Sequence, residues 1–218
     1  MIDIGGAKAV YRQVAPMPVG LNWPNATVVA DGRVVVTGGT VLSNQLVGIN
    51  DRALIWNPAA DSWSQSGPSS GTARMYHSIA ILLRDGSVLV GGGGAPGPLT
   101  NLNVEIYYPP YLFLPSSTER APRPQITSAP AKLSVGKSVM VGATPAAAIA
   151  RVTLIKTGAV THSFNSEQRF MELPITARTA TSVAVTTPAN KKLAPPGTYF
   201  LFVIDDQGVP SVAAIVTI

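Results

Sequence analysis

Apolar residues in this chain fall in short runs that either alternate with polar ones or stay apolar for four to eight positions, as in "VVVTGG", "SIAILL", "SVLVGGGG", "SVMVGA", "SVAVTT" and "TYFLFVI". Such runs, rich in Val, Ile, Thr and aromatics and closed by Gly, Pro, Asn or Asp, predict strands joined by tight turns. The predicted fold class is all-β. The apolar runs, Ile79 to Leu83 among them, are far shorter than the roughly 20 residues of a membrane-spanning helix. The first twenty residues hold Asp3, Lys8 and Arg12 without a continuous apolar core, so no signal peptide is expected there.

The pattern also repeats. "DGRVVVTGG" at Asp31 to Gly39 recurs 54 positions on as "DGSVLVGGG" at Asp85 to Gly93, and "LIWNP" from Leu54 is matched by "EIYYP" from Glu105. Each unit reads as an apolar strand, an Asp-Gly turn, an apolar strand ending in glycines, a variable loop and an aromatic strand closed by Pro. Asp-Gly is expected to supply the positive φ of a two-residue hairpin turn, and the glycines to let backbones approach closely. This order, with a period of about 50 residues, is that of a kelch propeller blade. Two blades cannot close a ring that typically holds about 4 to 8. Residues 1–115 are therefore expected to be a partial propeller, either a fragment or one part of a larger assembly.

From Leu114 to Pro124 the sequence turns to "LPSSTERAPRP", and residues 116–124 read as a linker. Beyond it, β-rich stretches separated by Gly and Pro have the spacing of a β-sandwich, so residues 125–218 are expected to form an immunoglobulin-like domain. "DDQG" at Asp205 to Gly208 reads as a hairpin turn, with Asp205 and Asp206 as turn formers rather than a catalytic carboxylate pair.

Composition narrows the chemistry. Charged residues make up 12% of the chain and the formal charge of +5 is spread out; with no basic run longer than Lys191-Lys192, neither nucleic acid nor a membrane is expected as a partner. The chain has no cysteine, which removes disulfides and thiolate metal ligands. It has two histidines, His77 and His162. Eight residues before the Asp of each Asp-Gly turn stand Trp23 in the first unit and His77 in the second, preceded by Asn22 and Tyr76. Equivalent strand starts in a propeller line one end of the central channel, so Trp23, Tyr76 and His77 are expected to converge on one mouth. Trp23 could line that mouth or fill the core between blades. Two imidazoles and a phenolate make a nitrogen and oxygen donor set suited to copper or iron rather than calcium.

The stretches "RMYHSIAILLRDGSVLVGGGG", "VEIYYPPYLF", "RPQITSAP", "VTHSFNSEQR" and "LAPPGTYFLFVIDDQGVPSVAAIVTI" resemble the C-terminal part of the galactose oxidase and glyoxal oxidase family, the copper radical oxidases. The resemblance covers most of residues 10–218. It implies the last kelch blades followed by an early-set, immunoglobulin-like domain, with Tyr76 and His77 as copper ligands. It also implies that a loop of the C-terminal domain brings His162 to the same metal. Tyr76 would then be a catalytic residue, Trp23 a substrate contact, and copper the cofactor. The implied reaction is oxidation of a primary alcohol or aldehyde by oxygen, giving hydrogen peroxide, in a secreted protein.

One part of that pattern is missing. The family's redox partner is a second tyrosine cross-linked to cysteine, carried by earlier blades, and this chain has no cysteine. The expectation is a chain inactive alone, whose missing N-terminal blades would come from a longer protein or a separate chain. The loop "TVLSNQLVGIN" from Thr40 to Asn50 is apolar and without aromatics, which does not support sugar stacking. The alternatives are a non-catalytic carbohydrate- or cell-wall-binding module, a redox-silent metal-binding protein, and a degenerate relative whose histidines are merely packed.

Overall fold

The computed structural model describes residues 1–4 and 6–218, and the chain is all-β with two short 3-10 turns. Among the described residues nineteen strands follow in order. A two-stranded ribbon of β1 (Ile2–Asp3) and β2 (Val10–Tyr11) opens the chain. A four-stranded antiparallel meander comes next, built from β3 (Asn25–Val28), β4 (Val34–Thr37), β5 (Ala53–Asn57) and β6 (Ser62–Ser66). The second repeat gives a three-stranded meander of β7 (Ser78–Leu82), β8 (Val88–Gly92) and β9 (Val104–Tyr107).

The remaining strands are β10 (Gln125–Ser128), β11 (Ser138–Thr144), β12 (Ile149–Lys156), β13 (Ala159–Thr161), β14 (Phe164–Ser166), β15 (Arg169–Leu173), β16 (Ile175–Arg178), β17 (Ser182–Thr186), β18 (Thr198–Asp205) and β19 (Ala214–Thr217). Eight of them form two four-stranded sheets, in the orders β10-β11-β17-β16 and β15-β12-β18-β19, while β13 and β14 pair with each other. The inward-facing Val141, Val152, Leu154, Val183, Leu201 and Val203 are almost fully buried and make one core between the two sheets. Alternating inward and outward side chains on paired antiparallel sheets are what a β-sandwich requires.

The Asp-Gly turns differ from their two-residue expectation. Gly32 N–H donates to Val29 O at 2.9 Å and Val29 N–H to Arg33 O at 2.9 Å. Leu83 and Gly86 repeat that arrangement, with bonds of 2.8 Å to Ser87 O and 2.9 Å to Leu83 O. These are three-residue loops in which only the glycine has positive φ, +90° at Gly32 and +84° at Gly86. A type I turn followed by a left-handed glycine needs one such residue, not two. The aspartates serve it differently: Asp31 and Asp85 accept the backbone N–H two residues on, at Arg33 and Ser87. "DDQG" is the same device, with Gly208 at +81° and Gly208 N–H donating to Asp205 O at 3.1 Å.

Both Asp-Gly loops dock on the sandwich. Thr153 Oγ1 donates to Ala30 O at 2.8 Å, and Arg84 and Ala213 exchange bonds of 2.8 and 2.9 Å. A second core joins the halves, in which Val35, Ile55, Leu82 and Val88 of the meanders pack with Ile155, Phe202 and Ala213 of the sandwich. The stretch between the halves is folded too: Tyr111 and Leu112 are buried, and Arg123 donates to the carbonyls of Pro210 and Ser211. With the loops seated at one end of the meanders, the starts of β3 and β7 lie at the other. That other end carries Trp23, Tyr76 and His77.

Candidate metal centre

Side chains from three separated segments meet at the strand starts. The rings of Tyr76 and His77 stack at 3.9 Å between centroids, His77 meets His162 edge to face at 4.4 Å, and Tyr76 lies 5.7 Å from His162. Trp23 flanks the group, 4.7 Å from Tyr76. All four predicted site residues are therefore in one cluster. Trp23 is 40% exposed, which puts it on the rim of the cluster and not in the core between the meanders.

The backbone that builds this cluster is strained. Trp23 (φ +59°), His77 (+65°), His162 (+53°) and Ser163 (+60°) all adopt the left-handed region. For residues with a Cβ this costs of order 1–2 kcal/mol each, and such strain persists where surrounding structure over-determines it, often at functional sites. Trp23 and His77 occupy equivalent places in the two repeats, so the repeat delivers the same unusual turn twice.

His162 arrives by a separate route. β13 and β14 pair in register from Ala159↔Ser166 to Thr161↔Phe164, leaving His162-Ser163 as a two-residue loop with both φ positive, the requirement of a type I′ turn. This hairpin lies along β3 and β7. Its far end is held by Gln168, whose Oε1 accepts Val28 N–H at 2.7 Å and whose Nε2 donates to Ala26 O at 2.9 Å. Midway, Asn165 Nδ2 donates to Ala80 O at 3.1 Å. At the tip, Ser163 N–H donates to Ser78 O at 2.9 Å and Ser163 Oγ to Met75 O at 3.1 Å. Ser78 Oγ lies 3.3 Å from Ser163 Oγ and accepts from Asn25 Nδ2 at 2.8 Å. These polar anchors were not picked out from sequence; the signal was present in "VTHSFNSEQR", where Ser163, Asn165 and Gln168 punctuate the hairpin.

The donor set fits a copper ion in kind. Thr161 Oγ1 is hydrogen-bonded to His162 Nδ1, which fixes the ring and leaves Nε2 free as a ligand. Two imidazoles and one phenol supply three donors and leave room for an exogenous ligand. Among the described residues no group of three or more His, Cys, Asp and Glu comes together, so a third protein donor beside His77 and His162 would be the Tyr76 phenol. Around Tyr76, Arg74 is buried and paired to Glu105 at 2.8 Å, with further bonds to Gly92 O and Asn103 O. That ion pair pins the chain just before the cluster.

A further open volume of about 1010 Å³ lies on another side of the meanders, bordered by Asp51, Ser69, Glu105, Tyr107 and Phe113. It includes none of the clustered rings. Among the described residues no helix is long and apolar enough to cross a membrane.

Comparison with known proteins converges on one family. The model of the galactose oxidase-like, early set domain matches residues 123–218. Galactose oxidase of Gibberella zeae is 32% identical over 201 residues, covering 88% of this chain and 28% of its own length. Aldehyde oxidase GLOX1 of Arabidopsis thaliana is 28% identical over 97% of this chain and 38% of its own. Among solved structures, a fungal alcohol oxidase of the AA5 family in complex with copper superposes with a TM-score of 0.91 at 27% identity, over the whole of this chain and 47% of that one. The chain thus spans between about a quarter and a half of the length of these three relatives. Residues 123–218 are a galactose oxidase-like early set domain, and the chain is a homologue of galactose oxidase and glyoxal oxidase.

Proposed function

We propose that this chain is the C-terminal part of a copper-dependent alcohol or aldehyde oxidase, in which residues 1–115 are the last blades of a kelch propeller and residues 125–218 the early-set domain. The observation that carries the reading is the convergence of Tyr76, His77 and His162 from segments far apart in sequence. In this reading His77 and His162 are the firmest copper ligands, Tyr76 is a weaker one, and Trp23 forms the rim against which substrate rests. Copper held there would supply one-electron redox chemistry.

The residues divide the remaining work. His162, its Nδ1 engaged by Thr161, presents Nε2 in a fixed direction. Tyr76 is the oxygen donor of the set and the group placed to exchange a proton with a substrate hydroxyl while the imidazoles stay occupied. Oxidising a primary alcohol to an aldehyde removes two electrons and two protons, delivered to oxygen as hydrogen peroxide. A single copper held by these residues would account for only one of those electrons. The other needs a second redox group, and without cysteine no tyrosyl-cysteine cofactor can form within these residues. The chain by itself is therefore expected to bind copper and to be catalytically silent, with the radical half supplied by other blades. The complete protein is proposed to act outside the cell on a small alcohol, aldehyde or carbohydrate.

Copper titration of the purified chain beside a His162→Ala variant tests the site. Uptake of about one equivalent by the native chain and clear weakening in the variant is expected; equal uptake by both would sink the assignment. Incubation of the copper-loaded chain with galactose, glyoxal and methylglyoxal should release no peroxide, and sustained release would disprove the missing-half reading.

A further inference from the structure

The two repeats differ in one detail beside Tyr76. In the first repeat Asn22 and Thr40 form a backbone pair, Asn22 N–H to Thr40 O at 2.8 Å and Thr40 N–H to Asn22 O at 3.0 Å. The equivalent residues in the second repeat are Tyr76 and Gly94. There, one of the two bonds is kept, Gly94 N–H to Tyr76 O at 2.7 Å. In place of the other stands the carboxamide of Asn44, whose Oδ1 accepts Tyr76 N–H at 3.3 Å while its Nδ2 donates to Gly94 O at 3.1 Å. The side chain has entered the backbone pair and closed a ring of three hydrogen bonds through Asn44, Tyr76 and Gly94.

Its orientation is determined by its partners, since Nδ2 faces two carbonyls, Gly94 O and Pro96 O at 2.8 Å, and Oδ1 faces an N–H. A flipped amide would set oxygen against both carbonyls. The crevice is shaped to admit it: a Cβ on Gly97 would lie 2.4 Å from Asn44 Nδ2. Asn44 itself is held by its loop, in which Thr40 Oγ1 bonds to Ser43 O and Val41 N–H donates to Val47 O at 3.0 Å. Unlike its loop neighbours Leu42 and Leu46, which are about half exposed, Asn44 is half-buried.

We infer that Asn44 is a positioning residue for Tyr76: by wedging between Tyr76 and Gly94 it sets where the phenol stands relative to His77 and His162. The inference rests on the copper-site reading for its consequence, and on the hydrogen-bond ring for its geometry. Removing the wedge should let Tyr76 N–H reach Gly94 O directly, as Asn22 and Thr40 do, so that the fold survives and the phenol moves.

The test compares the native chain with Asn44→Ala and Asn44→Asp. The aspartate keeps the acceptor for Tyr76 N–H but turns a carboxylate oxygen toward two carbonyls. Both variants should melt close to the native chain, bind Cu(II) about tenfold more weakly, the scale seen when a partner orienting a ligand is lost, and show an altered phenolate-to-copper absorption band. In metal-free protein the Tyr76 ring proton resonances, shifted by the Trp23 and His77 rings, should move in both variants. Unchanged Tyr76 resonances overturn the positioning role whether or not copper binds. Failure of the native chain to take up copper overturns the reading of the site instead, and leaves the resonances to decide the role of Asn44.

Discussion

His77 and His162 stand edge to face at 4.4 Å although one opens a strand of the second meander and the other tips a hairpin of the sandwich half. Neither residue could reach the other without the β13–β14 hairpin, which is tied along β3 and β7 by Gln168, Asn165 and Ser163. The relationship makes the site a product of how the halves dock, and each contact in that docking can be weighed.

The hairpin tip depends on Ser163, which is buried and bonds through its hydroxyl to Met75 O. Ser163→Ala removes one of the two hydrogen bonds to that carbonyl, the other coming from Ser78 N–H at 2.9 Å, a loss of about 1 kcal/mol. Urea denaturation should show this destabilisation, and the variant should hold copper less tightly because His162 rides on the same two-residue loop. An unchanged midpoint would mean that the tip is not anchored through this side chain.

The shared core predicts a larger effect. Phe202 is fully buried among residues of both halves, and truncating such a side chain typically costs about 3–5 kcal/mol. Phe202→Ala should lower the melting temperature substantially, and the two halves should lose structure together. A variant in which the sandwich melts alone while the meanders stay intact would show that the halves are not one cooperative unit.

Two glycines with similar φ separate strain from crowding. Gly38 (φ +68°) would place a Cβ 2.6 Å from Arg74 O, whereas Gly71 (φ +69°) has nothing within 4 Å. Gly71→Ala should cost about 1 kcal/mol, the left-handed penalty alone. Gly38→Ala should cost clearly more, because the Arg74 backbone must also move, and a thermal melt of the pair reads the difference directly. Equal costs would contradict the close approach.

Acid should loosen the base of the hairpin. Lys156 bonds to Glu167 and, chiefly through that bond, holds its carboxyl below the ordinary value of 4.5. A depressed carboxylate pKa contributes stability above the unfolded value and loses it as pH falls through the folded one. Glu167 is exposed, so the effect is small. The melting temperature of the native chain should therefore fall slightly more steeply below pH 4.5 than that of Glu167→Gln; parallel curves would remove the pair from any role in acid stability.

The strands themselves were legible because the driving pattern is local. Val34 to Thr37, Ser78 to Leu82 and Thr198 to Asp205 carry the β-branched and aromatic residues that suit a pleated, half-buried surface, and they form strands as expected. The second Asp-Gly unit shows the limit. Its sequence predicts a turn, but whether the loop holds two residues or three depends on which backbone groups pair, and Leu83 with Ser87 decided for three. Trp23 was ambiguous for a similar reason: an aromatic at a strand start fits a core or a rim equally, until its neighbours are known.

What the sequence determined by itself was the all-β class, the two-fold repeat of an Asp-Gly hairpin unit, and the residue types able to ligate a metal, since each follows from spacing and side-chain chemistry along a single stretch. The tertiary structure alone decided that the Ser163, Asn165 and Gln168 anchors carry His162 to Tyr76 and His77, and that Asn44 enters the pair between Tyr76 and Gly94. Those contacts join segments many strands apart, and their energy comes from buried polar groups that find partners only once the sheets have packed.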